Sequence, residues 1–401
     1  MKNIALLGCT GSIGDSSLQV IDSFNVDFQL YFAVAHSNVE KLNSIIKKHK
    51  PKYAALTNES AFKELKDIID PDCSTKLLCT WDEVSEVLSH SQLDIVVSAI
   101  VGSVGLKPTL SAIKSGKKIL LANKESLVVA GSYFMDAAKK YNAQIMPIDS
   151  EHNALFQCLP EEVKDNLGYA DLCSLGVSKL ILTASGGPFF GYTREQLKTV
   201  SALDACAHPK WKMGKKISVD SASLMNKGLE YIEAYYLFNA KKPDQLDVLI
   251  HPESIVHSIV EYQDKSMLAH LSTADMKVPI VYSLFYPNRS SCNKVINPLS
   301  LAEAGSLSFF KPDLKTFSNL GLAINSIQAS KEHAVVLNAV NEMHVSLFLE
   351  GKISFLDISV LNEKMVNNFD YSGHCNSIED IIDLDLSIRD QVSSLNYQVI
   401  F

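Results

Sequence analysis

The chain has 401 residues, of which 47% are hydrophobic and 20% are charged, and its formal net charge is −8 at pH 7. This length predicts two or three domains with enough apolar side chains for packed cores. The acidic balance argues against a nucleic-acid binder, and neither a block of Lys and Arg nor an aromatic-basic stripe contradicts that. No apolar run approaches the ~20 residues that a membrane span needs.

The cysteines and the N-terminus indicate the compartment. The eight cysteines are scattered and include no Cys-x-x-Cys pair, so neither a zinc site nor a redox motif is indicated. Reduced thiols in a cytosolic protein are the simplest account. The first predicted strand begins at residue 3, which leaves no room for a signal or transit peptide. We therefore expect a cytoplasmic protein.

A glycine-rich loop, Gly8–Gly14, joins the first predicted strand, Asn3–Leu7, to a helical pattern at Ser16–Ile21. Strand, glycine loop and helix in this order predict dinucleotide binding, because the glycines allow a tight turn and the helix start presents N–H groups to a pyrophosphate. The spacing is Gly-x-x-Gly-x-x-Gly, since Thr10 holds the place of the usual middle glycine. Such a loop alone is a weak signal, and its position directly after the first strand strengthens it.

The end of the second predicted strand, Phe28–Ala35, bears on the choice of cofactor. It is followed by His36-Ser37-Asn38 and contains no acid to hold a ribose 2′-hydroxyl, which favours NADP over NAD. The hydroxyl, amide and imidazole are able to hydrogen-bond a 2′-phosphate, and the nearest cation is Lys41. An ordinary polar turn is the alternative interpretation.

Strands alternate with helical patterns from residue 1 to about 150. This alternation predicts a Rossmann-like, doubly wound parallel sheet in an NADPH-binding domain over 1–150. The predicted strands are Asn3–Leu7, Phe28–Ala35, Tyr53–Leu56, Lys76–Cys79, Asp94–Ala99, Lys118–Ala122 and Ala143–Ile148.

The rest of the chain predicts an α+β catalytic domain over 151–300 and a C-terminal helical bundle over 310–401. The strands predicted for a second, smaller sheet are Lys179–Ala184, Val248–His251, Ser258–Tyr262 and Met267–Ser272. The helices predicted for the bundle are Leu320–Ser330, His333–Glu350, Ile353–Asn368 and Ile378–Leu395.

The heptapeptide Pro147–Asn153, Pro-Ile-Asp-Ser-Glu-His-Asn, is the first candidate site. Asp149 and Glu151 are two residues apart, and in extended chain they point to one side. Two carboxylates on one side repel each other unless a cation lies between them, and all-oxygen ligation suits Mg²⁺ or Mn²⁺. The alternative is a polar exit from a strand.

Two further turns follow predicted strands. In Ala122–Ser126, Lys124 lies at a strand end where parallel sheets bind ligands, and it can hold a phosphate, a reacting hydroxyl or the cofactor. The Ser-Gly-Gly turn of Thr183–Pro188 offers a hydroxyl and N–H groups to an anion. A charge pair that starts a helix and a simple turn are the respective alternatives.

A helix capped by Ser221 or Ser223 is predicted to run to about residue 238. On it Asn226 and Glu230 are at i, i+4, and Lys227 and Glu230 are at i, i+3, so the three side chains share a flank. The amide and the ammonium suit a phosphate, and Glu230 suits a third metal ligand. A solvated helix face is the alternative.

The long segment Pro188–Lys216 ends in His208–Gly214, which combines a histidine with two bulky apolar residues, Trp211 and Met213. With the two glycines before it, this segment is the predicted lid, 186–216, which closes over a site and excludes water. A packed connection anchored by Trp211 is the alternative.

Together these residues resemble one family, the 1-deoxy-D-xylulose-5-phosphate reductoisomerases. The resemblance runs nearly end to end, and its Asp-Ser-Glu-His-Asn and Met-Asn-Lys-Gly-Leu-Glu segments are highly specific. The matching segments are Gly8–Gly14, Ala122–Ser126, Pro147–Asn153, Thr183–Phe189, His208–Gly214, Ile217–Phe238, His251–His257 and Asn338–Glu342.

The resemblance implies roles for individual residues. The metal ligands it implies, for Mn²⁺, Mg²⁺ or Co²⁺, are Asp149, Glu151 and Glu230. The catalytic residues it implies are Lys124, Asp149, Glu151, His208 and Glu230. The substrate-binding residues it implies are Lys124, Ser150, Glu151, Ser185, His208, Trp211, Ser221, Asn226, Lys227 and Glu230. The cofactor-binding residues expected are Thr10, Gly11, Ser12, Ile13, His36, Ser37, Asn38, Asn123, Glu125 and Gly214. The chain departs from the family at Ala35–Asn38, where a Gly followed by Lys or Arg is common.

The resemblance also implies an activity and a homodimer. The expected reaction is the NADPH- and metal-dependent rearrangement and reduction of 1-deoxy-D-xylulose 5-phosphate to 2-C-methyl-D-erythritol 4-phosphate, in the non-mevalonate route to isoprenoids. The family is thought to cleave the C3–C4 bond in a retroaldol step and to reduce the branched aldehyde that forms. The alternatives are a plain NADP-dependent dehydrogenase of another phosphorylated substrate and a redox-sensing binding module.

Overall fold

A computed structural model describes residues 1–211, 213–242, 244–292, 295–371 and 375–395. Lys212 of the predicted lid, residues 243 and 293–294 of the predicted catalytic domain, and residues 372–374 and 396–401 of the predicted helical domain lie outside the described residues. The chain forms two compact units. The first unit contains Met1–Asn123, Phe134–Asn153 and Asp275–Pro298, and the second contains Lys124–Tyr133, Ala154–Ala274 and Leu299–Phe401. The domain bounds predicted from the sequence stay a prediction.

The strands form two sheets. In chain order they are β1 (Lys2–Leu7), β2 (Phe28–Ala35), β3 (Tyr53–Leu56), β4 (Lys76–Leu78), β5 (Ile95–Ser98), β6 (Lys118–Leu121), β7 (Gln144–Pro147), β8 (Val177–Ala184), β9 (Leu246–Ile250), β10 (Val256–Tyr262) and β11 (Met267–Leu271). Every strand predicted from the sequence is therefore present, with ends that differ by at most two residues.

The helices lie between these strands and at the C-terminal end of the described chain. In chain order they are α1 (Ser12–Ser23), α2 (Val39–His49), α3 (Glu59–Ile68), α4 (Trp81–Leu88), α5 (Leu106–Lys114), α6 (Lys124–Tyr141), α7 (Ser150–Cys158), α8 (Glu161–Lys164), α9 (Arg194–Leu197), α10 (Ala202–Cys206), α11 (Lys215–Ala222), α12 (Met225–Leu237), α13 (Lys277–Phe285), α14 (Leu301–Ala304), α15 (Asn319–Ala329), α16 (Lys331–Leu349), α17 (Phe355–Asn368) and α18 (Ile378–Ser394). The backbone of α6 is kinked at Ala130.

The first unit is built on a parallel sheet in the order β4-β3-β2-β1-β5-β6-β7. Its central strands are short apolar runs whose side chains are buried almost throughout, as in β5, where all four residues are buried. Such runs suit a sheet that is covered on both faces. The strand order reverses direction beside β1, which is where parallel sheets of this kind bind ligands. The predicted Rossmann-like sheet is confirmed.

The second unit contains a mixed sheet in the order β11-β10-β8-β9. β8 pairs with β9 in parallel and with β10 antiparallel, and β11 lies at one edge. The same unit contains the C-terminal helices, in which α16 packs against α15, α17 and α18. α12 packs against α15 so closely that a Cβ on Gly228 would lie 2.6 Å from the Cβ of Ala323. The predicted second sheet and helical bundle are confirmed.

The predicted helix cap at Ser221 or Ser223 is wrong. The segment folds as two helices, since α11 ends at Ala222 and α12 begins at Met225. Leu224 occupies the N-cap position of α12 with a left-handed φ of 58°. Ser223 and Ser221 are two and four residues ahead of Met225, and the Ser223 hydroxyl accepts the N–H of Met225 at 3.4 Å without being the N-cap residue.

Two predictions about composition have structural counterparts. The eight cysteines all lie among the described residues and are free thiols. Within the described part of the chain, no helix is both long and apolar enough to cross a membrane.

Candidate active site

The glycine loop of the first unit is a cradle that has no space for side chains. Gly8 has a φ of +83°, and a Cβ there would lie 2.4 Å from the carbonyl oxygen of Ala99. A Cβ on Gly14 would lie 2.4 Å from the carbonyl oxygen of Cys9. Gly11 occupies the N-cap position of α1, so the first turn of this helix starts without a capping side chain. Backbone N–H groups at such a helix start can face the phosphates of a dinucleotide.

The segment after β2 lies beside this loop. The ammonium group of Lys41 donates hydrogen bonds to the carbonyl oxygen of Thr10, at 2.9 Å, and to Asp15, at 2.8 Å. Asn38 Oδ1 accepts a hydrogen bond from the backbone N–H of Lys41 and caps α2. Lys41, the cation nearest in sequence to the end of β2, therefore contacts the glycine loop. His36, Ser37 and Asn38 themselves are exposed.

Asn123, a predicted cofactor contact, is buried at the carboxyl end of β6. Its side-chain amide donates to the carbonyl oxygen of Gly102 at 3.0 Å. A Cβ on Gly105 would lie 2.4 Å from Asn123 Nδ2, so this glycine leaves the room that the amide occupies. The turn at 102–105 therefore fixes Asn123 at the sheet edge where parallel sheets bind ligands.

The heptapeptide after β7 differs from its prediction in one respect. The strand ends at Pro147 and α7 begins at Ser150, so Asp149 and Glu151 are not on one side of an extended chain. Instead, Asp149 Oδ1 accepts a hydrogen bond from the backbone N–H of Glu151, at 3.3 Å, and lies 3.2 Å from His152 Nδ1. The hydroxyl of Ser150 bonds to the Glu151 carboxylate. Both carboxylates thus lie at the start of a helix, where negative charge is favoured.

The second unit brings four predicted residues into one buried cluster. Glu230, on α12, is 1% exposed, and its Oε1 lies 2.9 Å from the ammonium group of Lys124. Asn226 accepts from Lys124 at 3.0 Å and donates to Glu230 at 2.5 Å, and Lys227 pairs with the other oxygen of Glu230. The two ammonium groups and the amide thus hold both oxygens of this buried carboxylate in place. The shared flank predicted from helical spacing is confirmed.

The tautomer of His208 follows from its hydrogen bonds. Its Nδ1 accepts from the backbone N–H groups of Lys210, at 3.2 Å, and Trp211, at 2.9 Å. The proton of the neutral ring is therefore on Nε2, which lies 2.8 Å from the hydroxyl of Ser185. Burial lowers the pKa of His208 below its ordinary value, which favours this neutral form.

The predicted Ser-Gly-Gly turn lies against the end of α11. Gly186 and Gly187 both have positive φ, at +83° and +67°. A Cβ on Gly187 would lie 2.8 Å from the carbonyl oxygen of Ser221, and the N–H of Gly187 donates to the Ser185 hydroxyl at 3.2 Å. Gly187 therefore lies against Ser221 and within hydrogen-bond distance of Ser185.

The predicted lid is a structured segment. It contains α9 and α10, each of which begins with a capping box. Phe189, at its start, is buried and packs on Phe355 with ring centroids 5.1 Å apart. Trp211, near its end, is half-buried, and its ring lies 6.4 Å from that of His257. The segment is thus packed at its start through Phe189 and near its end through Trp211, and its closing over a ligand stays a prediction.

Sequence reasoning did not find Lys216. Its ammonium group lies 2.8 Å from Glu125, a predicted cofactor contact, and 3.0 Å from Asp220. Gly214, another predicted cofactor contact, is the N-cap residue of the same helix, α11. The i, i+4 spacing of Lys216 and Asp220 was a visible signal, but the pairing with Glu125 joins positions 91 residues apart.

Three family models match most of the chain. The model described as 1-deoxy-D-xylulose 5-phosphate reductoisomerase matches residues 4–131. The model of the 1-deoxy-D-xylulose 5-phosphate reductoisomerase C-terminal domain matches 145–238, and the model of the DXP reductoisomerase C-terminal domain matches 271–391.

Curated relatives agree over the whole length. The chain is 45% identical to the 1-deoxy-D-xylulose 5-phosphate reductoisomerase of Proteus mirabilis, over 100% of both chains. It is 44% identical to that of Shewanella woodyi, over 98% of both chains.

Solved structures have the same fold. A crystal structure of DOX-P reductoisomerase in complex with NADPH, fosmidomycin and magnesium has a TM-score of 0.93 with 40% identity, over 98% of both chains. The 1-deoxy-D-xylulose 5-phosphate reductoisomerase of Zymomonas mobilis, in complex with NADPH, has a TM-score of 0.88 with 36% identity, again over 98% of both chains.

Proposed function

Because this chain belongs to the 1-deoxy-D-xylulose 5-phosphate reductoisomerase family, we infer that it converts 1-deoxy-D-xylulose 5-phosphate in an NADPH- and metal-dependent reaction of isoprenoid synthesis. It is an oxidoreductase, and its product is 2-C-methyl-D-erythritol 4-phosphate. The observation that carries this inference is the buried cluster of Lys124, Asn226, Lys227 and Glu230 in a chain that also has the glycine cradle. A plain dehydrogenase that needs no metal leaves the buried carboxylate of this cluster unexplained.

The first unit fits NADPH. Gly8 and Gly14 make close backbone contacts and carry no side chain that would block a pyrophosphate. The residues assigned to the cofactor are Thr10, Gly11, Ser12, Ile13, His36, Ser37, Asn38, Asn123, Glu125 and Gly214. NADPH supplies the hydride when it is bound. The lack of an acid at the end of β2 leaves nothing there to repel the 2′-phosphate.

The carboxylates fit a divalent ion. Asp149, Glu151 and Glu230 are assigned as its ligands, since all three offer the oxygen atoms that Mg²⁺ and Mn²⁺ prefer. The ammonium groups of Lys124 and Lys227 orient the carboxylate of Glu230. The ion supplies a Lewis acid for the ketose oxygens. Mg²⁺ is the expected metal, and Mn²⁺ and Co²⁺ are proposed as substitutes.

The substrate phosphate is assigned to Ser185, Ser221, Asn226 and Lys227. Ser185 receives the Nε2–H of neutral His208, so its own proton is free to point towards a phosphate oxygen. The ammonium group of Lys227 adds a charge-assisted contact. The positive φ of Gly186 and Gly187 allows the turn that places Gly187 against Ser221.

Lys124 and Ser150 are assigned to the reacting hydroxyls. Lys124 is only 6% exposed, and Asn226 and Glu230 orient its ammonium group. A cation held in a site that excludes water stabilises an oxyanion without having to reorganise first. With His208, Asp149, Glu151 and Glu230, this lysine completes the catalytic set.

The lid, 186–216, is proposed to close over bound substrate through Trp211 and Met213. The rearrangement forms two fragments before they rejoin, and a closed site keeps them in place. The position of Trp211 beside His257 supports this role for the end of the segment.

The enzyme is further proposed to be a cytoplasmic homodimer. β11 is an edge strand that presents two large apolar side chains, Met267 and Leu268, which are 56% and 51% exposed. An exposed apolar edge of this kind favours pairing with a second chain. Light scattering after size-exclusion chromatography measures the mass in solution directly, and a monomer at micromolar concentration would refute the dimer.

One assay decides the reaction. The purified protein is given 1-deoxy-D-xylulose 5-phosphate, NADPH and Mg²⁺, and the product is identified by NMR. A branched methylerythritol phosphate is expected. An unbranched alcohol would make the protein a plain dehydrogenase, and NADPH binding without turnover would make it a binding module.

A further inference from the structure

A chain of buried polar side chains connects the C-terminal helices to the first turn of α6. At one end, the ammonium group of Lys216 bridges the carboxylates of Glu125, at 2.8 Å, and Asp220, at 3.0 Å. Both acids are buried, with side chains 9% and 1% exposed. Lys216 is thus the cation that joins the start of α6 to α11.

Side chains on α16 and α17 hold Asp220 in place. Asn341 donates to Asp220 Oδ1 at 2.8 Å and accepts from Asn362 at 3.0 Å. Asn362 in turn lies 2.7 Å from His344 Nδ1, and these three side chains are fully buried. Asn341 belongs to Asn338–Glu342, a segment that the sequence analysis singled out and that the proposed reaction does not use.

A second arm runs through Glu342. Its carboxylate lies 3.9 Å from Lys216 and 2.7 Å from the guanidinium group of Arg389 on α18. Burial opposes the charge of Lys216, but the neighbouring carboxylates outweigh it and raise the pKa of the lysine above its ordinary value. Lys216 is therefore a fixed positive charge that the C-terminal helices hold in place.

We propose that Lys216 is a positioning residue for NADPH, and that Asn341 of the C-terminal helices holds it in register through Asp220. This inference rests on the proposed function, which assigns Glu125 and Gly214 to the cofactor. Lys216 follows Gly214 by two residues and pairs with Glu125, so a single side chain ties the two assigned cofactor segments together.

On the substrate side, Lys124 is held by other residues. Lys124 precedes Glu125 in the chain but is oriented by Asn226 and Glu230 on α12. Loss of Lys216 leaves Glu125 and Asp220 as buried carboxylates without their shared counter-charge, and such groups move or take up water. The displacement reaches Glu125 first and leaves the contacts of Lys124 in place. We therefore expect loss of Lys216 to weaken NADPH binding and to leave the KM for the ketose phosphate almost unchanged.

The test compares Lys216→Met, Lys216→Arg and the adjacent control Lys215→Met, since Lys215 is exposed on the same helix turn. The dissociation constant of NADPH is measured directly by nicotinamide fluorescence in the full-length protein without substrate. Lys216→Met should raise it at least about tenfold, Lys216→Arg should restore most of the affinity, and Lys215→Met should match the wild type. The KM for the ketose phosphate should stay within about threefold.

A purely structural role predicts a different result. Lys216→Met would then lower the thermal unfolding midpoint while NADPH bound with wild-type affinity, and that outcome overturns the proposal. Asn341→Leu keeps the volume but removes the donor to Asp220, so it should weaken NADPH binding several-fold and add little in the Lys216→Met background. If Lys216→Met does not fold, the NADPH affinity of folded Asn341→Leu tests the proposal, and wild-type affinity in that variant would overturn it. Failure of the proposed reaction shows instead as a wild type that binds NADPH but gives no branched product.

Discussion

The two units build their candidate sites from different materials. In the first unit, the candidate cofactor cradle consists of backbone, because close backbone contacts at Gly8 and Gly14 leave no room for side chains. In the second unit, the substrate cluster consists of buried charged side chains that hold one another, with Glu230 between Lys124 and Lys227. A backbone site is vulnerable to added atoms, whereas a side-chain site is vulnerable to removed charges. Substitutions that delete a charge should therefore act most strongly on the second.

The largest effect is expected at the metal ligands. Asp149→Asn, Glu151→Gln or Glu230→Gln removes one of three anionic oxygen donors and should lower kcat at least about 10³-fold, with the circular dichroism spectrum unchanged. Chelator should abolish the activity of the wild type, and Mg²⁺ or Mn²⁺ should restore it. Glu195→Gln, at an exposed position on α9, is the control. Full activity in excess EDTA would exclude a metal.

The second unit should also carry a pH dependence of stability. Burial lowers the pKa of His257 from 6.5 to about 4. Below pH 6.5 the unfolded chain binds a proton that the folded chain does not, so stability is full above pH 6.5 and falls as the pH approaches 4. The loss is on the order of 3 kcal/mol. Urea unfolding at pH 7.5 and pH 5 should show a smaller difference for His257→Gln than for the wild type.

His36→Gln is the control for this measurement, since His36 is an exposed histidine of the first unit. It should keep the wild-type pH dependence. Carboxylates contribute to acid unfolding in all three proteins, so the comparison uses the difference between variants. Identical slopes for wild type and His257→Gln would show that His257 does not titrate on unfolding.

The phosphate residues should act next most strongly. Lys227→Ala and Ser185→Ala should each remove one hydrogen bond to the substrate phosphate. Because a hydrogen bond to a charged group contributes about 1.5–3 kcal/mol, the KM for the ketose phosphate should rise roughly tenfold to hundredfold. The KM for NADPH should change little. Ser178→Ala is a matched control, because Ser178 lies on β8 and Ser185 directly follows the same strand. A rise in the cofactor's KM instead would mean that these residues are wrongly assigned.

How far the sequence predicts the structure depends on the range of the interaction. The glycine loop and the Asn226–Glu230 flank are local, so spacing alone predicted them. The break between α11 and α12 at Leu224 was missed, because a left-handed leucine leaves no mark in the residue pattern. The helix start at Ser150 was missed for a related reason, since strand and helix meet within two residues.

The sequence does not predict contacts between residues that are far apart in the chain. Asp220 and Asn341 are 121 residues apart, and both are buried polar residues in helices. A helical pattern shows which face is apolar but not which neighbour lies opposite, and that neighbour is set only when the bundle packs. The Asn338–Glu342 segment stood out by family resemblance, and its contacts became visible only in the fold.

The lid should respond to substrate but change affinity less than the charged cluster does. Trp211 lies in the half-buried end of the segment beside His257. In a Trp81→Phe protein it is the single tryptophan, so its emission reports the lid alone. Substrate or fosmidomycin with Mg²⁺ should shift this emission and protect 188–216 from protease. An unchanged spectrum and unchanged cleavage at saturation would leave the packed connection as the correct interpretation.

The smallest effect is expected at the cofactor's 2′ position, where the first unit does use side chains. No Arg or Lys occurs in Ala35–Asn38, and the ammonium group of Lys41 bonds to Thr10 and Asp15. NADPH should therefore be preferred over NADH by less than a basic residue would give. His36→Arg should widen the preference about fivefold, since an exposed charge pair contributes up to ~1 kcal/mol. Ser37→Asp should narrow it by repelling the phosphate. The measurement is kcat/KM with each cofactor in the three proteins. Equal use of NADH by the wild type would show that the 2′-phosphate is not recognised. No response to either substitution would show that it is recognised outside this segment.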